Sequence, residues 1–209
     1  MNPERLKIAI QGGRQVSALL LRPSNARACY VMAHGAGAGI KRPDPPLVAR
    51  ATVRAAVAEA QRLTPDLPLI AGGRSFGGRM TSQAQALAAL PGVLGLAFLA
   101  FPLHPPKQPS RDRAKHLFGV DVPMLFLQGS RDALAALEHL QPLCNDLGSA
   151  ATLKVLADAD HAFHVPARCG RTNVQVRSEL LDAFAGWVDE VLAEVRVVQP
   201  TLKARAPPE

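Results

Sequence analysis

The chain has 209 residues, 48% of them hydrophobic and only 4% aromatic, which suits one domain whose core is filled mainly by Ala, Leu and Val and would cramp two. Its 24 Lys and Arg against 17 Asp and Glu leave a formal charge of +7, yet Arg22, Arg54, Arg79, Arg113 and Arg177 are scattered, with no basic run and no interleaved aromatics, so the charge reads as a solvated face and no specific nucleic-acid partner is expected. The three cysteines follow neither zinc nor disulfide spacing, MNPERLKIAI lacks a signal peptide's apolar stretch, and no apolar run approaches the ~20 residues that cross a bilayer, so a soluble, cytoplasmic protein without metal or membrane partner is expected.

Short β-rich runs alternate with longer helical ones, the pattern of a largely parallel sheet with helices on both faces. Leu6–Ile10 and Val16–Arg22 flank Gly12 and Gly13 like a hairpin. Ala28–Ala33 reads as a buried strand running into HGAGAG. Leu47–Leu63 is Ala-rich, with apolar residues at helical spacing. Pro68–Gly72 is a short buried strand and Phe76–Leu90 a helix. Val93–Ala100 and Val122–Leu127 are two more buried strands. Ala133–Leu147 is mostly helical, Thr152–Leu156 is a last strand, and Asn173–Val195 is a long amphipathic helix with Thr172 as N-cap. A single domain over residues 1–195 and a flexible tail over 196–209 are expected.

The strongest chemical signal follows the fourth strand, in Gly72-Gly73-Arg74-Ser75-Phe76-Gly77-Gly78. Ser75 has a glycine two residues before it and another two after, the G-x-S-x-G pattern. A nucleophile held on a sharp strand-to-helix turn needs small neighbours where the chain passes close by. The following helix also aims its first N–H groups at the turn, which favours developing negative charge.

A serine needs a base to take its proton, and the base needs a third group to orient it. Asp132 follows the strand VPMLFLQ, and His161 follows the strand that opens TLKVLADAD, each at the end of a later strand. Asp158 and Asp160 lie nearer His161 in sequence and are rival acids, and His164 is a rival base. Taken alone, Asp132 reads better as an N-cap on the helix from Ala133. The chain order Ser, acid, His favours Ser75, Asp132 and His161. The loop His34-Gly35-Ala36-Gly37-Ala38-Gly39 comes straight after a strand, where one backbone oxyanion donor is expected at Ala36, the other being Phe76 N–H. It lacks the Lys-Ser/Thr ending of a phosphate loop.

HGAGAG, GGRSFGGRM, FPLHPPKQP, VPMLFLQGSRD and ADADHAF, in that order from about Val31 to Trp187, resemble the small serine α/β hydrolases related to dienelactone hydrolase, in the testis-expressed protein thirty-like branch. The resemblance implies an α/β-hydrolase fold without a cap domain, and a serine hydrolase with Ser75, Asp132 and His161 as its triad. The expected reaction is cleavage of a small carboxylic ester or related acyl substrate, with no cofactor. A catalytically silent binding or scaffold module is the alternative. His34, His104 and Lys107 are candidate substrate-lining residues, though His104 and Lys107 could equally stabilise a proline-rich loop. Dienelactone hydrolases proper use a cysteine nucleophile, so Ser75 is a departure. Relatives also carry a further helix and strand after the oxyanion loop, roughly thirty residues. Here only Ile40–Pro46 intervenes, so the sheet is expected to be one strand short. An apolar patch beside Ala28–Ala33 would then be left uncovered, and a homodimer could bury it.

Overall fold

In the computed structural model the described residues are 2–10, 12–36 and 46–203, with side chains through Arg196. The chain opens with β1 (Glu4–Ile10) and β2 (Arg14–Leu20), paired antiparallel with Ile10 opposite Arg14. Gly12 and Gly13, between them, both have positive φ (83° and 71°), a conformation that costs glycine nothing. Ile8 and Ile10 are buried, and β1 lies against helix α1 (Pro46–Leu63).

The main sheet consists of β3 (Cys29–Ala33), β4 (Leu69–Arg74), β5 (Val93–Leu99), β6 (Met124–Gly129) and β7 (Ala151–Leu156). All five are parallel and lie in chain order. Crossovers between parallel strands are right-handed, so an unbroken order sends the connecting helices to one face. Val53 and Val57 of α1, Ala84 of α2 (Phe76–Leu87), and Leu140 and Leu143 of α3 (Leu137–Leu147) accordingly share one core with Leu69, Ala71, Phe98, Met124 and Phe126.

The alternate strand residues Ile70, Ala97, Leu125 and Leu127 point the other way. They meet Val176, Leu180, Trp187, Val188 and Val191 of α4 (Asn173–Lys203). This period-two split is what strands apolar on both sides require. Trp187 sits so closely over β5 that a Cβ on Gly95 would come 2.7 Å from its ring. Tyr30 of β3 packs on Phe184 with ring centroids 4.9 Å apart, and its hydroxyl donates across β4 to the Ala97 carbonyl at 2.9 Å.

The architecture agrees with the expected α/β-hydrolase fold, and several boundaries move for identifiable reasons. Helix α2 stops at Leu87, not Leu90: Ala88 is extended and Pro91 follows. Helix α3 starts at Leu137, not Ala133, because the preceding residues are held in turns. Leu134 N–H donates to Asp132 Oδ1 (2.8 Å), and Ala136 N–H to His104 Nε2 (3.2 Å). Helix α4 begins where Thr172 caps it: Gln175 N–H donates to Thr172 Oγ1 (3.2 Å) and Thr172 N–H to Gln175 Oε1 (2.8 Å), a reciprocal capping box. It runs on to Lys203, into the segment expected to fray.

A 3₁₀ helix over Asp112–Gly119, which the sequence reading did not anticipate, packs on α2. β3 is the edge strand, directly beside β4. Residues 37–45, where the expected shortening falls, lie outside the described residues.

Candidate active site

Ser75 occupies the turn between β4 and α2 with φ 51° and ψ −120°, a backbone that an L-residue adopts only under constraint. Its N–H donates to the Leu99 carbonyl of β5 at 2.9 Å. The flanking glycines are required by close approach. A Cβ on Gly73 would lie 2.2 Å from the Ala33 carbonyl oxygen, and one on Gly77 would lie 2.3 Å from that oxygen and 2.5 Å from the His34 carbonyl oxygen. The loop leaving β3 passes beside the serine: a Cβ on Gly35 would sit 3.7 Å from Ser75 Cβ.

Asp132 follows β6, and its side chain is fully buried. Its two oxygens have separate duties. Oδ1 accepts Leu134 N–H and so braces a turn, where the sequence reading has a helix starting at Ala133 for Asp132 to cap; α3 starts only at Leu137. Oδ2 accepts the Gln128 side-chain amide and His161 Nδ1–H, the latter at 2.7 Å. A carboxylate has no proton to give, so the shared proton sits on Nδ1 and leaves Nε2 as an acceptor. Nε2 lies 2.9 Å from Ser75 Oγ. The His161 side chain is 29% exposed, so its imidazole stands at the boundary between core and solvent. Ser75, His161 and Asp132, from three strand ends, therefore form one continuous hydrogen-bonded chain.

The rivals lie elsewhere. Asp160 braces its own loop: Oδ1 accepts Ala162 N–H (2.7 Å) and His164 N–H (2.9 Å). Asp158 has φ 61° and donates its backbone N–H to Ser130 Oγ (2.8 Å). His164 is exposed. Of the candidate lining residues, His34 is exposed with Nδ1 2.9 Å from the Gly35 carbonyl oxygen, and Lys107 is exposed with φ 59°. His104 is buried with both ring nitrogens engaged, Nδ1–H donating to the Pro105 carbonyl at 2.9 Å and Nε2 accepting Ala136 N–H. It is built into the turn that follows Asp132. Phe76, the other expected oxyanion donor, is the first residue of α2, where an N–H has no intrahelical acceptor.

Two polar features escaped the sequence reading. Gln128 is the only polar side chain in the run MLFLQG of β6 and is fully buried, a signal that could have singled it out. Ser82 Oγ lies 2.7 Å from His116 Nε2. That pair joins α2 to the 3₁₀ helix, and burial, helped by the Arg79 charge, pushes the His116 imidazole down to about 4. Among the described residues, no three of His, Cys, Asp and Glu gather as a metal site, and no helix is long and apolar enough to cross a membrane.

The family described as "Alpha/beta hydrolase domain" matches residues 40–189. The chain belongs to the α/β hydrolase family. Solved structures similar to this α/β hydrolase include a Xanthomonas campestris serine hydrolase described as lidless, at 17% identity and TM-score 0.63 over 88% of this chain and 94% of that one. The dienelactone hydrolase of Anabaena variabilis shares 16% identity, with TM-score 0.61 over 87% and 95%. Esterase 2 of Thermogutta terrifontis, solved phosphoramylated by tabun, shares 14%, with TM-score 0.65 over 90% and 94%. At these identities the likeness is one of fold.

Proposed function

We propose that this α/β hydrolase is a serine hydrolase that cleaves a small carboxylic ester or related acyl substrate. The observation that carries the reading is the hydrogen-bonded chain from Ser75 Oγ through His161 to Asp132 Oδ2. In the first half-reaction Ser75 Oγ attacks the substrate carbonyl carbon as His161 Nε2 takes its proton. Asp132 holds the imidazole in the required tautomer and stabilises the imidazolium. The tetrahedral oxyanion is bound by the Ala36 and Phe76 backbone N–H groups, a reading supported by Gly35 lying against Ser75. Its collapse expels the alcohol, which takes the proton from His161, and leaves an acyl-serine. Water then enters, gives a proton to His161, and releases the acid while Ser75 recovers its own.

The segment from Ala100 to Val122 holds a single short 3₁₀ helix. That is too little for a cap domain and favours a short, soluble acyl substrate reaching an open site. The reading as one short branch of this family is supported by β3 standing at the sheet edge.

The test is hydrolysis of p-nitrophenyl acetate together with labelling by a fluorophosphonate probe, a choice that the organophosphorus-modified esterase of Thermogutta terrifontis encourages. Wild type is expected to turn over and to label. Ser75→Ala is expected to stay folded and do neither. Equal labelling or equal turnover of the two proteins refutes the assignment.

A further inference from the structure

Gln128 lies on β6, four residues before Asp132, with no exposure to solvent. Its Nε2 donates to Asp132 Oδ2, the same oxygen that accepts His161 Nδ1–H. The opposite amide orientation would set Oε1 against the carboxylate, so the donor orientation follows from charge. The cost of that arrangement is visible. Gln128 Oε1 is buried without a hydrogen-bond partner among the described residues, a state that buried polar atoms rarely tolerate. An apolar residue of the same length would remove the orphaned oxygen, so shape and packing do not explain a glutamine here. Its donor does.

We propose that Gln128 is a positioning residue that sets the basicity of His161 through Asp132, a role that rests on the serine-hydrolase reading above. An N–H on Oδ2 draws down the negative charge that the imidazolium would otherwise meet, and fixes the rotation of the carboxylate toward the ring. Without it, Oδ2 binds the imidazolium more strongly, and the proton taken from Ser75 is held rather than passed to the leaving group.

Other titratable groups nearby have separate partners. The Asp160 carboxylate is turned to the Ala162 and His164 N–H groups of its own loop. His104, from the loop after β5, is bound to Pro105 and Ala136. Ser75 meets His161 from the β4–α2 turn.

The test pairs two measurements on the full chain: titration of the His161 imidazole by NMR, which needs no turnover, and the pH profile of kcat/KM on p-nitrophenyl acetate. Gln128→Met keeps length and removes the donor. Gln128→Glu keeps length and sets a second carboxylate on Asp132. Gln128→Met is expected to raise the His161 midpoint by about half a unit to one unit, to move the acid limb of the rate profile with it, and to lower kcat several-fold. Its Tm is expected to stay near wild type, because a lost hydrogen bond and a relieved orphan oppose each other. Gln128→Glu is expected to raise the midpoint further.

A residue that only packs would lower kcat without moving the midpoint. A midpoint unchanged in folded Gln128→Met, or, should that variant not fold, unchanged or lowered in Gln128→Glu, overturns the proposal. Because the titration is read without substrate, that outcome is distinct from failure of the serine-hydrolase reading, which shows as turnover that survives Ser75→Ala.

Discussion

Gly77→Ala puts the smallest possible side chain on the second glycine of G-x-S-x-G. The added Cβ would meet three backbone atoms: the Ala33 carbonyl oxygen at 2.3 Å, the His34 carbonyl oxygen at 2.5 Å and the Ala33 carbonyl carbon at 2.6 Å. Ordinary contact begins near 3.4 Å, so the first turn of α2 and the end of β3 must separate by about 1 Å. Neither side can yield alone. Gly77 belongs to the helix that carries Ser75, and Ala33 is paired to Gly73 in the sheet. Overpacking of this kind costs about 1–3 kcal/mol, which for a chain of this size lowers Tm by roughly 3–10 °C.

The effect on rate should be larger than the effect on stability. The displaced atoms are the two sides of the proposed oxyanion site, and a misplacement of about 1 Å at a reacting centre costs on the order of 10²-fold. Circular-dichroism melts and initial rates on p-nitrophenyl acetate measure both quantities. If Gly77→Ala melts within about 2 °C of wild type, short of the roughly 3–10 °C drop expected, and keeps its kcat/KM, the close approach is not what demands glycine here.

Two further expectations follow from the same geometry. Asp132→Asn should lower kcat by roughly 10³–10⁴-fold, since the imidazole tautomer is no longer held; Asp160→Asn, which keeps the Oδ1 acceptor of its loop, should stay near wild-type rate, and a larger loss for Asp160→Asn than for Asp132→Asn would show the wrong acid was chosen. His116, pushed down to about 4 by burial and the Arg79 charge, is neutral in the fold while the unfolded chain takes up a proton near 6.5. Stability from this group is therefore complete above about pH 6.5 and drains away as pH falls toward 4, by roughly 1–2 kcal/mol after allowing for partial exposure. Urea melts at pH 7 and pH 5 should show wild type losing more stability than His116→Gln, and equal losses would remove His116 from the account.

Much of this was legible in the chain because the informative signals are local. ACYVMA, PLIAG, VLGLAFLA and VPMLFL are short two-sided apolar runs, and all lie within the parallel sheet or just beyond its strand ends. The glycines around Ser75 announce a tight turn, and the close contacts of Gly73 and Gly77 bear this out. What could not be read depends on partners far along the chain. Ala133 to Ala136 look helical in sequence, yet His104, some thirty residues earlier, holds Ala136 in a turn. Asp158 and Asp160 differ from Asp132 not in type but in direction, which positive φ at Asp158 and the N–H groups facing Asp160 decide. Gln128 passes as the last residue of the strand VPMLFLQ until its amide is seen on Asp132.

The strand order links the fold to the His161 loop in a way no motif reveals. With β3 to β7 in chain order, α1, α2 and α3 lie on one face, and α4 must cover the other. The core that α4 forms there also receives Phe163 and Val165 from the His161 loop. Val165 N–H donates to Asn173 Oδ1 at the start of α4 (2.9 Å). Phe163 has φ 62°, a conformation that costs a bulky residue on the order of 1–3 kcal/mol and persists only where its surroundings enforce it. Packing against the α4 core supplies that enforcement: Phe163 is half-buried there, and partial burial of its ring is worth a share of the about 1.5–3 kcal/mol that full burial brings. One helix therefore does two things: it closes the apolar face that the strand order leaves open, and it holds the strained loop that turns His161 toward Ser75.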